Sequence, residues 1–200
     1  MKIPFLSRFF APPPPRPAVP ADGSGGFLGA SLEPVLKSSF FTWFCFDPVG
    51  EPEQKDQLRL TRYKPNGPKF HNLVTLEVEA DAQGIIRTLR LLVARSFIDH
   101  PAEGIFASDI SNSFLAAAVP AFDCGLVEAL GGEITSRART TRPLIRAGGP
   151  PTGEGTAGPP SRGFAVFSGR ADAWQKATPY TVLRLRRQAD GFLKMEIAEA

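Results

Sequence analysis

The chain alternates between stretches with a clear apolar period and stretches with none. Leu32, Val35, Leu36, Ser39, Phe40 and Trp43 recur at helical spacing, with Ser31 placed as an N-cap and Pro34 in the first turn, which predicts a helix over 32–46. Its end, Phe40-Phe41-Thr42-Trp43-Phe44-Cys45-Phe46, is apolar on every face and reads equally as a buried strand; Asp47-Pro48 stops either element. The period then falls to two. Leu58 and Leu60 alternate with Arg59 and Thr61, Pro65-Asn66-Gly67-Pro68 reads as a turn, and Val74, Leu76 and Val78 alternate with Thr75, Glu77 and Glu79. Asp81-Ala82-Gln83-Gly84 forms a hairpin loop into a returning strand over 85–96, with Leu89, Leu91 and Val93 on one face and Arg90 on the other.

A helical period follows. Ser108 is placed to cap a helix to about Ala118 that aligns Ile110, Phe114, Ala117 and Ala118, and Pro120 ends it. Asp123 opens a short second helix through Leu126, Val127 and Leu130, closed by Gly131-Gly132. Phe164–Phe167 reads as a strand, and Tyr180–Arg187 with Phe192–Ile197 as a hairpin around Asp190-Gly191. The expected fold is α+β, an antiparallel sheet of about five to six strands with helices packed on one face. The element order αβββαββ is similar to that of type III secretion chaperones and their relatives. The likeness lies in element order, and a fold does not fix a function.

Composition sets the organisation around this pattern. Twelve of the 20 prolines fall in residues 1–26 and 143–160. Proline-rich segments without an apolar period serve as spacers, so the chain divides into a flexible arm over 1–26 and a single domain over 27–200, interrupted by a Gly/Pro-rich loop at about 140–162. With 200 residues and 42% hydrophobic content, a sizeable core is available. No uncharged apolar run reaches about 18 residues, and no signal-peptide apolar region forms, so the expectation is a cytoplasmic chain or one peripheral to a membrane. Two cysteines exclude a disulfide scaffold and a four-cysteine zinc site. A net charge of +3 lacks the clustered cations of a nucleic-acid binder.

Candidate chemistry is sparse. Gly153-Glu154-Gly155-Thr156-Ala157-Gly158 has the spacing of a dinucleotide fingerprint, but the prolines on both sides remove the strand and helix that such a loop needs. Arg137, Arg139, Arg142 and Arg146 form an acid-free patch suited to anions, without aromatic residues to stack bases. Asp99, His100 and Asp109, with Glu103, are the densest titratable group, and as a loop cluster they suggest a hydrolase-like enzyme. His71 reads as structural, and Cys45 and Cys124 as small buried hydrophobes. No metal-ligand spacing and no other cofactor motif occurs.

The N-terminus is more specific. Pro14-Pro15-Arg16-Pro17 and Pro17-Ala18-Val19-Pro20 are P-x-x-P patterns, and ahead of them Ile3, Phe5, Leu6, Phe9 and Phe10 cluster with Lys2 and Arg8. An apolar, basic tip on a stiff spacer points to a non-enzymatic binding or adaptor module. Phe5, Leu6, Phe9 and Phe10 would contact a protein partner, with an anionic membrane surface as the second candidate. A third reading is a ligand-binding domain whose cavity is lined by Phe40, Trp43 and Phe44.

Overall fold

The computed structural model describes residues 15–123, 125–126 and 162–200. Its centre is an all-antiparallel sheet in the order β1-β3-β4-β5-β8-β7-β6, with β2 also paired to the outer edge of β3. The strands are β1 (Phe46–Pro48), β2 (Glu53–Lys55), β3 (Leu58–Pro65), β4 (Val74–Ala80), β5 (Ile86–Ala94), β6 (Ala173–Ala177), β7 (Thr181–Arg187) and β8 (Phe192–Glu199). Two meanders, β3-β4-β5 and β6-β7-β8, meet at the β5–β8 ladder, where Leu91 faces Met195 and Arg90 faces Glu196. The α+β antiparallel plan therefore holds, with two or three more strands than the apolar pattern predicts. The extra strands are the short edges β1, β2 and β6. An edge strand meets solvent on both faces and carries no apolar alternation, and β2 (Glu-Gln-Lys) is exposed throughout.

The two faces of the sheet are built differently. On one, Tyr63, Leu76, Leu91, Met195 and Leu185 form a transverse apolar row that belongs to the single buried core. On the other, the next register row reads Arg62, Glu77, Arg90, Glu196, Arg184 and Gln175 across six strands. Arg62 Nε donates to Glu77 (3.1 Å), Arg90 Nε to Glu196 (2.7 Å), and Arg184 to both Glu196 (2.8 Å) and Gln175 (3.2 Å). Opposite charges directly across a ladder stabilise a sheet, and here each carboxylate is shared by cations on both flanks. Burial opposes ionisation of Glu196, but hydrogen bonds from Lys194, Arg90 and Arg184 outweigh it and hold this carboxyl down to about 2.

The helices pack on the apolar face. They are α1 (Leu32–Leu36), α2 (Ser39–Trp43), α3 (Arg95–Ile98), α4 (Gly104–Ala118) and α5 (Arg162–Phe167), with a 3₁₀ turn at Ala121–Asp123. Residues 32–46 are thus not one helix. The chain breaks at Lys37-Ser38, where Ser38 takes an extended conformation (φ −68°, ψ 160°) as the N-cap of α2, and after α2 it enters β1. Ser31 sits at the N-cap position but gives no side-chain cap; it forms a bridge to Ile85 instead. The first part of the predicted 85–96 strand is β5; its end coils into α3 and buries Phe97. α4 begins at Gly104, a turn before Ser108, whose hydroxyl donates back to the Gly104 carbonyl. The Phe164–Phe167 stretch is part of α5, not a strand. A short apolar run gives no period to tell the two apart, and a helical turn lets Val166 and Phe167 bury while the Phe167 carbonyl accepts from Arg95.

Residues 16–30 run against this core. Arg16 pairs with Glu199, and Val19 packs on the core. Gly23–Gly26, which by composition suggest a flexible hinge, form hydrogen-bonded turns (Gly23 N–H to Pro20 O and Gly26 N–H to Gly23 O, both 3.1 Å). Gly26 has φ +109°, and a Cβ there would lie 2.6 Å from the Val119 carbonyl oxygen, so only glycine fits. Phe27 and Leu28 then donate backbone bonds to Ala117 (2.9 Å) and Ala118 (3.1 Å) and cover the C-terminal end of α4.

Candidate functional site

The N-terminal end of α4 has no such cover among the described residues. Ile105 is 47% exposed, Phe106 57% and, across from them, Trp43 80%. Between Trp43 and Phe106 lies a groove of about 340 Å³.

Each wall follows from local chain geometry. α2 ends at Trp43 with Phe44 as its C-cap, and Cys45 takes the left-handed conformation (φ +50°) that turns the chain into β1. This reversal sends Phe46 inward and leaves Trp43 outward. Phe44 stays half-buried, edge-on to Phe40 with ring centroids 5.4 Å apart. The end of β3 supplies Pro65, and the connection to β4 supplies Gly67 and Phe70. Phe70 rests on Phe97 of α3 (5.4 Å) and on Phe106 of α4 (6.3 Å). Lys69 fastens this connection to the start of α4 through an ion pair with Glu103 (2.6 Å), and its hydrogen bond draws the Glu103 carboxyl below the usual range. α3 and α4 approach closely because Gly104 has no side chain; a Cβ there would lie 2.6 Å from the Ile98 carbonyl oxygen. That approach lets Phe97 and Phe106 both pack on Phe70. Ile110 and Val74 complete the lining.

Among the lining residues only Cys45 carries an ionisable group, and it is a free, exposed thiol rather than a buried hydrophobe. The helix end that exposes it was not visible in a seven-residue run that is apolar on every face. The groove therefore offers apolar and aromatic surface, with no acid–base pair and no convergent polar ligands. Its chemistry is burial: each large apolar side chain moved from water into such a site gains about 1.5–3 kcal/mol.

The titratable group lies apart from this chemistry. Asp99 pairs with Arg95 one turn back (2.9 Å), and His100 Nδ1 accepts from the backbone of Ala102 (3.3 Å) and Glu103 (3.1 Å), closing the turn into α4. Asp109 is exposed on α4, and no hydrogen bond or ion pair joins it to either among the described residues. His71 Nδ1 lies 3.3 Å from the Pro65 carbonyl and braces the β3–β4 connection. Among the described residues, no group of three or more His, Cys, Asp and Glu gathers as a metal site. Phe5, Leu6, Phe9, Phe10, Cys124, Arg137, Arg139, Arg142, Arg146 and the Gly153–Gly158 motif lie outside the described residues.

Of the aromatic cluster read from sequence, Phe40, Phe41 and Phe46 are core, while Trp43 and Phe44 face the groove. Sequence reasoning missed Phe70, Phe97 and Phe106. Phe106 alone carried a signal: on a helix begun at Gly104 rather than at Ser108, it stands four residues before Ile110 and extends the row of Ile110 and Phe114 by one turn. No helix among the described residues is long and apolar enough to cross a membrane. Comparison with protein-family models, curated proteins and solved structures finds no match for this chain.

Proposed function

We propose that this chain is a non-enzymatic binding module that recognises an apolar, aromatic-bearing segment of a protein partner in the groove between Trp43 and Phe106. The observation that carries this reading is the pair of large aromatic side chains left in water on the two rims, 80% and 57% exposed, around a lining with one ionisable group. Exposed contiguous aromatic surface with a preformed depression beside it is the hallmark of an interaction site. The apolar tip at Phe5, Leu6, Phe9 and Phe10 belongs to the same proposal as a second surface that acts by burying aromatic rings against a protein partner or an anionic membrane.

The test is photo-crosslinking from the full chain in its source cells. A photoreactive phenylalanine replaces Phe106 in one sample and Arg184, on the charged face, in another. One stoichiometric partner crosslinked from position 106 and not from 184 supports the reading. Equal crosslinking from both positions, or from neither, overturns it.

A ligand-binding domain is the second reading, favoured by the groove's volume of about 340 Å³. That lies at the low end of the roughly 300–1,000 Å³ typical of small-molecule pockets. It predicts saturable binding of a small apolar ligand that Phe106→Asp abolishes.

A further inference from the structure

We propose that the free edge of β6 is a self-association surface, on which β6 of a second copy of this chain pairs antiparallel and continues the sheet across a two-fold axis centred on Gln175. This edge ends the sheet four strands away from β4, which carries the groove residue Val74, and it stands independently of what the groove binds.

The backbone of β6 faces outward at every second residue. Thr178 N–H donates to the Thr181 carbonyl (2.9 Å) and Arg187 N–H to the Asp172 carbonyl (2.8 Å), which fixes the phase of the β6–β7 ladder. Trp174 and Lys176 therefore turn their N–H and C=O groups toward β7, and Ala173, Gln175 and Ala177 turn theirs away. Those three residues are exposed, and no strand among the described residues pairs with that side. The opposite border of the sheet is guarded. Pro48 leaves β1 without one donor, and β2 reads Glu53-Gln54-Lys55; proline and charge are the usual protection of an edge. β6 has no proline, and its outward residues carry no charge. Such a row of unpaired backbone groups is a template for another strand.

The strand is also complementary to itself. About Gln175, Ala173 meets Ala177 of the second copy, and Gln175 meets its own counterpart, whose amide both donates and accepts. On the core-side face Lys176 meets Trp174 of the second copy in a non-hydrogen-bonded pair, the closer kind, which brings an ammonium to an indole ring. Trp174 is half-buried against the core, so its ring is held in place. An axis one residue to either side overlaps less of the strand, and one centred on Lys176 sets two ammonium groups opposite each other. A ladder of five residues is a small contact, so the dimer belongs to the weak, concentration-dependent class, with a Kd on the order of 10–100 µM.

Sedimentation of the full chain from about 1 µM to about 1 mM is the test, and the parent should pass from monomer to dimer over that range. In Gln175→Pro the lost N–H is one that points outward, so the β6–β7 bonds remain while the donor at the axis disappears and a ring fills the edge. The dimer should weaken at least about tenfold, at an unchanged thermal midpoint. Gln175→Lys and Gln175→Glu leave the backbone alone. Each by itself sets like charges across the axis and should weaken the dimer by up to about fivefold; an equal mixture should recover it, because lysine then faces glutamate. If Gln175→Pro lowers the thermal midpoint, the charged pair decides.

A parent that stays monomeric to about 1 mM overturns the proposal. So does a dimer that the charged variants do not weaken, or that their mixture does not recover, since residue 175 then does not face its copy. A dimer lost with Phe106→Ser overturns it by placing the contact in the groove. Each of these outcomes is separate from the crosslinking test above: position 184 lies one strand in from this edge, and a second copy captured there is known by a mass of twice the chain.

Discussion

The two ends of α4 are made of similar material and treated differently. At the C-terminal end, Leu115 and Ala118 are fully buried, and the carbonyls of Ala117 and Ala118 accept from the backbone of Phe27 and Leu28. At the N-terminal end, Ile105 and Phe106 stand in water across from Trp43. A helix end gains stability when a neighbouring segment both satisfies its free carbonyls and removes its apolar side chains from solvent. The closed end contributes to folding. The open end contributes little, and it keeps the apolar surface that the proposed binding would use.

Substitutions should separate the two ends by energy. Leu28 is fully buried, so Leu28→Ala should destabilise the fold by about 2–5 kcal/mol, read from denaturant midpoints. A loss under about 1 kcal/mol would mean the C-terminal end is not sealed as described. The charged face provides a reference remote from both ends. Glu196→Ala leaves Arg90 without a main partner and should cost about 2–3 kcal/mol. The same carboxylate gives the stability curve a pH signature. Its folded pKa of about 2 lies below the ordinary glutamate value of 4.5, so its contribution is complete above about pH 4.5 and is lost as pH falls toward 2. Glu196→Gln should flatten the acid limb of the curve over that window, and an unchanged limb would count against the ladder.

Smaller effects probe the open end itself. Gly104→Ala puts a methyl group against the Ile98 carbonyl and should cost about 1–3 kcal/mol while shifting Phe106 relative to Phe97, seen as lower stability together with weaker groove binding. Cys45→Gly removes a side chain from a left-handed residue and should stabilise by about 1 kcal/mol, raising Tm by about 2–4 °C in a domain of this size. Least of all, Phe106→Ser should change stability by no more than about 0.5 kcal/mol, because the side chain is already mostly in water. That near-neutrality beside a large loss of binding is what distinguishes a recognition residue from a core one.

The central strands were legible in the sequence because each has one buried and one solvated face. Leu89, Leu91 and Val93 against Arg90, and Val74, Leu76 and Val78 against Glu77, gave both the strands and their inward faces. The hairpins at Asp81–Gly84 and Asp190-Gly191 were legible through turn chemistry: Gly84 (φ +76°) and Gly191 (φ +86°) supply the left-handed residues. The edges were not legible, since solvent on both faces erases the period. The groove was half legible. Trp43 and Phe44 lie in an aromatic run plain in the sequence, but Phe70, Phe97 and Phe106 come from three further elements. Their convergence depends on Gly104 admitting α3 against α4, a tertiary fact with no local signature. The exposure of Cys45 was hidden because a run apolar on every face does not say where it turns, and the break between α1 and α2 was hidden because Lys37 and Ser38 suit the polar face of a continuous helix as well as a break.

The most direct test of the account is the photo-crosslink from position 106 set beside the stability of Phe106→Ser. The account predicts one stoichiometric protein partner captured from position 106 and absent from position 184, with the Phe106→Ser chain as stable as the parent. Equal capture from the charged face, or a Phe106→Ser chain destabilised like Leu28→Ala, would contradict it and return Phe106 to the core.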